Sequence, residues 1–189
     1  WVRLAKKEPD ERRVAIILAN YPNRDGRIAN GVGLDTPAGT MEVMRAMRDE
    51  GYETGELPED GDALIRLLSE GVTNKTGAGR IVRETLSLSD YNGFFGSLPK
   101  VIQDKVNERW GAPEADTFFQ DQSFALPLMR FGHVMIGIQP ARGYNIDPKE
   151  SYHSPDLPPP HGYLAFYAFL RLKFDTDAFI HMGKHGNLE

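Results

Sequence analysis

The chain has 189 residues, enough to bury roughly 70% of its unfolded surface in one domain. Hydrophobic residues make up 40% and charged residues 26%, an ordinary globular balance, and a formal net charge of −5 gives no reason to expect duplex nucleic acid as a partner. Cysteine is absent, which excludes disulfides and thiolate metal sites and suits a reducing, cytoplasmic setting.

Residues 1–12 carry Lys6, Lys7, Glu8, Asp10, Glu11 and Arg12 and read as a solvated linker, leaving 13–189 as a single α/β domain. Residues 14–19 are continuously apolar, as a strand buried on both faces requires. A glycine-rich loop follows from Asn20 to Asp35. Its Gly31-Val-Gly33 pair lacks the third glycine of the dinucleotide fingerprint, because Thr36 stands in that place, so no NAD site is expected. There is no P-loop either: Asn74 precedes Lys75-Thr76, and His185 follows Lys184. Thr36 as N-cap and Pro37 in the first turn predict a helix to about residue 50, with Met41, Met44 and Met47 as a core-packing stripe.

Residues 52–57 are expected to form a second strand. Asp60 or Asp62 caps a helix to about Gly71, with Leu64, Ile65, Leu67 and Leu68 inward. Two shorter helices are expected over 89–95 and 99–110, the second burying Val101, Ile102, Val106 and Trp110. The pattern over 114–130 is mixed, with a short strand at 123–126, and the next strand spans 133–138. A long proline-rich loop from Gln139 to Pro160 precedes a helix over 162–174 and a strand over 178–182. The longest apolar run, 163–170, is far short of the ~18 residues of a membrane span. Strand, helix, strand over 133–182 is a βαβ unit, so those strands should be parallel. The fold class is therefore α/β: an open, mostly parallel sheet with flanking helices, Rossmann-like without the dinucleotide fingerprint.

In such a sheet, ligands bind beyond the carboxyl ends of the strands. The loops leaving those ends hold His153, His161, His181 and His185, with Arg24, Arg27 and Arg142. His133 starts a strand at the opposite end. Each arginine alone also reads as a surface ion-pair partner, and His161 as a helix-entry residue. In the last stretch, His181, His185 and Glu189 stand four residues apart. Two imidazoles and a carboxylate are a sound ligand set for a divalent transition metal, although histidine clusters also serve proton transfer and hydrogen bonding. Met182 stands where a zinc protease needs glutamate, which rejects that chemistry.

The segment His181-Met-Gly-Lys-His-Gly-Asn-Leu-Glu189 is similar to the His-x-Gly-x-His-Gly-x-Leu-Glu signature of the cobaltochelatase large subunit and magnesium-chelatase H subunit family. Two further stretches resemble that family, in the same order: Tyr21-Pro-Asn-Arg-Asp-Gly-Arg-Ile-Ala-Asn-Gly-Val-Gly-Leu-Asp-Thr-Pro37 and Gly137-Ile-Gln-Pro-Ala-Arg-Gly-Tyr-Asn-Ile-Asp-Pro148. Lys184 and Asn187 resemble the cobalt branch more than the magnesium branch.

The resemblance implies an internal piece of a longer subunit that inserts cobalt into a corrinoid or related tetrapyrrole in cobalamin biosynthesis. That enzyme is an ATP-dependent metal–nitrogen ligase, and ATP with Mg belongs to separate AAA-type ATPase partner subunits. The isolated piece is expected to be inactive. Under this reading His181, His185 and Glu189 hold the metal and accept pyrrole protons. Arg24, Arg27 and Arg142 grip peripheral carboxylates by forked hydrogen bonds, Tyr21 and Tyr144 lie against the ring, and His153 and His161 complete the rim. The alternatives are a magnesium-chelatase H-type subunit acting on a porphyrin, a non-catalytic ligand-binding or subunit-docking module, and an independent metal hydrolase.

Overall fold

In the computed structural model, which describes residues 2–20, 28–29, 31, 33–75, 79–143 and 157–183, the apolar run after Arg13 becomes β1 (Val14–Leu18). All five of its residues are buried. Ala15 and Ile17 enter one core, while Val14, Ile16 and Leu18 enter another on the opposite face. A strand covered on both faces has no polar side, which is why no alternation shows in the sequence.

β1 pairs in parallel with β6 (Val134–Ile138) on one side and β7 (Ala178–Met182) on the other. β6 also pairs antiparallel with β5 (Leu128–Phe131), giving the order β5-β6-β1-β7. The expected mostly parallel sheet is present. The crossover helix α6 (His161–Leu172) leads from β6 to β7, and β1 lies between those strands.

Helices cover both faces. On one, α2 (Thr36–Asp49) and α3 (Gly61–Glu70) supply Met41, Met44, Leu64 and Leu68 against Val14, Ile16 and Leu18. On the other, α6 packs Phe166, Phe169 and Leu170 beside Tyr91 and Phe95 of α4 (Leu88–Gly96) and Val106 of α5 (Lys100–Trp110). Each fully buried side chain of this size contributes about 1.5–3 kcal/mol. A second, antiparallel sheet of β2 (Glu84–Ser87), β4 (Ser123–Leu126) and β3 (Phe119–Gln120), in that order, joins the α6 side.

Several expectations change. Asp35, not Thr36, caps α2: its Oδ1 accepts the Ala38 N–H at 3.1 Å, and Thr36 falls inside the first turn. Residues 52–57 form no strand. They run past the β5–β6 turn, where the Glu53 carbonyl accepts the His133 N–H at 2.7 Å. Two glutamates and a glycine with positive φ at Gly55 make this a poor strand sequence. In α5 only Val106 is buried, and Val101 and Ile102 face outward. The lead-in is not a solvated linker. It folds as α1 (Val2–Lys6) and a 3₁₀ turn (Pro9–Glu11), and Lys7 Nζ reaches the buried Asp177 carboxylate at 2.7 Å. His133 donates from Nδ1 to the Asp10 carbonyl at 2.6 Å, at the sheet end opposite the rim.

Candidate functional site at the carboxyl rim

Three parallel strands end together. The Gln139 N–H donates to the Leu18 carbonyl at 2.9 Å, and the Ala19 N–H donates to the Met182 carbonyl at 2.9 Å. The first residues beyond β1, β6 and β7 therefore share one rim, as the sheet topology predicts.

The backbones are close here for a reason written in glycine. A Cβ on Gly31 would stand 2.6 Å from Thr36 Oγ1 and 3.5 Å from Gly183 Cα, and one on Gly183 would stand 2.4 Å from Ala19 Cβ. Gly31 thus closes a turn against the rim, with the Leu34 N–H bonded to its carbonyl at 2.8 Å. Packing thus gives Gly31 its local reason, and a positive φ of 80° gives Gly33 its own.

Asn20 is the first side chain past β1 that is large and polar, and it is only 2% exposed. Neither atom of its amide has a hydrogen-bond partner among the described residues, and the buried Thr36 hydroxyl is in the same condition. A buried polar group left unpaired costs about 1–3 kcal/mol, so each such group calls for a water, an ion or a ligand to complete it. Past β6, Gln139 and Tyr167 bond through both ends of the amide, at 3.0 and 3.2 Å. Tyr163 lies beside Tyr167 with the rings tilted and their centroids 5.2 Å apart. Burial raises the Tyr163 phenol above its ordinary pKa, partly offset by the Tyr167 hydroxyl and the Arg142 charge. Burial raises Tyr167 as well, so both phenols are neutral donors at neutral pH. Asn74 fastens the rim loop by donating to the Gln139 carbonyl at 2.8 Å and accepting the Ala141 N–H at 3.0 Å.

His181 lies opposite Ile17 in the β1–β7 register, one residue before β7 ends. It shares the α6-facing side with Phe179, whose ring lies 6.2 Å from that of Tyr167. Its side chain is exposed, yet partial burial holds the imidazole below its ordinary pKa of 6.5. At neutral pH it is an uncharged ring, fit to accept a proton or bind a cation. Arg142 is half-buried at the other side of the rim and donates to the Leu157 carbonyl at 3.3 Å. Arg24, Arg27, Tyr144, His153, His185 and Glu189 lie outside the described residues. Among the described residues no group of three or more His, Cys, Asp or Glu side chains comes together.

The structure places His161 elsewhere. It is 0% exposed, in the aromatic core rather than on the rim. The Gly111 carbonyl, 3.0 Å away, can only accept, so Nε2 carries the proton. Nδ1 then accepts the Tyr91 O–H at 2.6 Å. Phe95 meets the ring edge-on at 5.1 Å between centroids. Burial lowers the imidazole pKa more than Gly111, Asp116 and Glu114 raise it. With both nitrogens engaged, His161 fixes the start of α6 and is removed from the set of ligand-binding candidates. Asp116 completes that start: its Oδ2 accepts the Gly162 N–H at 2.7 Å, placing a carboxylate at the helix N-terminus.

Sequence reading missed Asn20, Gln139, Tyr163 and Tyr167 as site residues. A signal was present for Asn20 and Gln139, each the first large polar side chain after a buried strand. Tyr163 and Tyr167 read as an ordinary helix stripe.

The pattern of the CobN/Magnesium Chelatase family matches residues 1–189. The chain is 68% identical over 189 residues to the aerobic cobaltochelatase subunit CobN of a Sinorhizobium species, covering 100% of this chain and 15% of that protein. It is 50% identical over 191 residues to the same-named subunit of Pseudomonas aeruginosa, again 100% of this chain and 15% of the relative. It is 29% identical over 196 residues to the magnesium-chelatase H subunit of Chlorobaculum parvum, covering 100% of this chain and 15% of that one. The structure of the catalytic subunit of cobaltochelatase from Mycobacterium tuberculosis superposes with a TM-score of 0.81 at 38% identity, covering 98% of this chain and 16% of that one. The chain thus spans about 15% of the length of the curated relatives it matches. Identity along the whole chain, joined to a shared fold, settles the relationship: the chain belongs to the CobN/magnesium chelatase family.

Proposed function

We propose that this segment forms part of the macrocycle and metal site of a cobaltochelatase large subunit, which inserts cobalt into a corrinoid during cobalamin biosynthesis. The observation that carries the reading is the rim itself. An unpaired buried amide at Asn20 and an imidazole held neutral at His181 stand at the carboxyl ends of adjacent strands. Cobalt is the substrate metal. As metal–nitrogen bonds form, ring N–H protons must leave, and a neutral imidazole accepts them. His181, with His185 and Glu189 beyond it in sequence, delivers the metal and takes those protons. Weak, transient coordination suits the task, because a tightly held ion would not transfer. Arg142, with Arg24 and Arg27, binds peripheral carboxylates, and Tyr144 and His153 complete the wall of the site. ATP and its Mg act on AAA-type ATPase partner subunits.

The test is cobalt calorimetry on the full-length protein beside His181→Ala, His185→Ala and Glu189→Gln. Binding that is lost in the variants supports the assignment, and undiminished binding in all of them refutes it. The match to a magnesium-chelatase relative favours one second reading, a porphyrin and magnesium site. Titrating a metal-free corrinoid against a metal-free porphyrin separates the two, since the cobalt reading requires the corrinoid to bind more tightly.

A further inference from the structure

The two edges of the main sheet are built differently. β5 carries Arg130, whose Nε donates to a Glu84 carboxylate oxygen of β2 at 3.2 Å. A charged residue on a short edge strand discourages further pairing. β7 forms the other edge, and its sequence, Ala178-Phe-Ile-His-Met182, has no lysine, proline or acid to turn a partner away. Every residue of β1 and β6 is buried, whereas none of β7 is.

The ladder to β1 shows which backbone groups of β7 are left over. The Ala178 N–H donates to the Arg13 carbonyl at 3.4 Å, and the Met182 carbonyl accepts the Ala19 N–H at 2.9 Å. Successive residues of a strand aim their backbone groups to opposite sides, so Ala178, Ile180 and Met182 bond toward β1. The N–H and C=O of Phe179 and His181 therefore point to the outer edge. Among the described residues no strand meets them there. The Phe179 side chain is 44% exposed although its ring lies near that of Tyr167, so apolar surface is uncovered on the same strand whose backbone is unpaired.

We propose that in the full-length protein a β-strand from outside residues 1–189 pairs with this edge, bonding to the Phe179 and His181 backbone and covering the Phe179 ring. The chain spans about 15% of the curated relatives it matches, so most of such a protein is available to supply the strand. A strand of the same chain adds without the loss of translational freedom that a second copy incurs. The inference rests on the family relationship and is independent of which metal or macrocycle the rim takes. Whichever way it runs, the added strand has one end beside His181, and so brings groups from elsewhere in the subunit to the rim.

The test is residue-resolved hydrogen exchange on the full-length protein, read at the Phe179, Ile180 and His181 amides, beside photo-crosslinking from a Phe179→p-benzoylphenylalanine variant. Ile180 is the internal reference, because its amide faces β1. If the edge is paired, the two outer amides exchange on the same scale as Ile180, slowed by about a hundredfold or more relative to an open amide. The cross-link then falls on a residue of the same chain outside 1–189. Outer amides that exchange about a hundredfold faster than Ile180 would overturn the proposal. So would a cross-link within residues 1–189, a cross-link to a second copy, or no cross-link at all.

Discussion

His161 and His181 are both drawn below the ordinary imidazole pKa by burial, yet their surroundings are opposite. His161 has both nitrogens bonded, to Tyr91 and Gly111, inside a ring of aromatics. The His181 imidazole has no hydrogen bond to any described residue, and it shares the strand ends with Asn20, whose amide is likewise unpaired among the described residues. A depressed imidazole pKa by itself therefore says little about function. What separates a structural polar cluster from a ligand-ready one is whether its donors and acceptors are already used.

The largest expected effect lies in the satisfied cluster. His161→Ala leaves the Tyr91 hydroxyl and the Gly111 carbonyl without their partner and opens a cavity among Phe95 and Tyr91, so it should cost about 2–4 kcal/mol in urea unfolding. A loss below about 0.5 kcal/mol would break the comparison from that side. Tyr91→Phe keeps the ring and removes only the donated O–H, and should cost about 1–2 kcal/mol.

The same cluster sets a pH dependence. The folded pKa of His161 is lowered, so the unfolded chain binds the proton more readily. Its contribution is then fully present above the unfolded value of about 6.5 and is lost as pH falls toward the depressed folded value. Unfolding midpoints should decline below that pH, and less steeply in His161→Gln than in the parent. An identical slope in both would remove His161 as the cause.

Rim substitutions should behave the other way. Asn20→Leu replaces an unpaired buried amide with an apolar side chain of similar size, so the unfolding free energy should stay within about 1 kcal/mol of the parent or rise. The smallest effect belongs to the outer face of α5. Val101 is 59% exposed, and Val101→Ser should change stability by less than about 0.5 kcal/mol.

These contrasts mark how far the sequence could be read. β1, β4, β6 and β7 were legible because their apolar runs are short, dense and bounded by turns. β2 and β3 were not, since Glu84-Thr-Leu-Ser87 and Phe119-Gln120 are short and half polar, and only pairing with β4 makes them strands. The outward face of α5 was misread because Val101 and Ile102 match a helical stripe that this fold leaves uncovered. The rim was legible from topology, as a place where loops converge. Which groups on it are unsatisfied was not legible, because hydrogen-bond satisfaction depends on partners distant in sequence. His161 shows this most clearly: its partners Tyr91 and Gly111 lie 70 and 50 residues away.

The most direct measurement is the affinity of the full-length Asn20→Leu protein for a metal-free corrinoid, taken beside its unfolding midpoint. A rim that keeps the Asn20 amide for its ligand predicts binding weakened by about tenfold with the midpoint unchanged or raised. Unchanged corrinoid affinity would contradict that account, because Asn20 would then be an unpaired buried amide that no ligand completes.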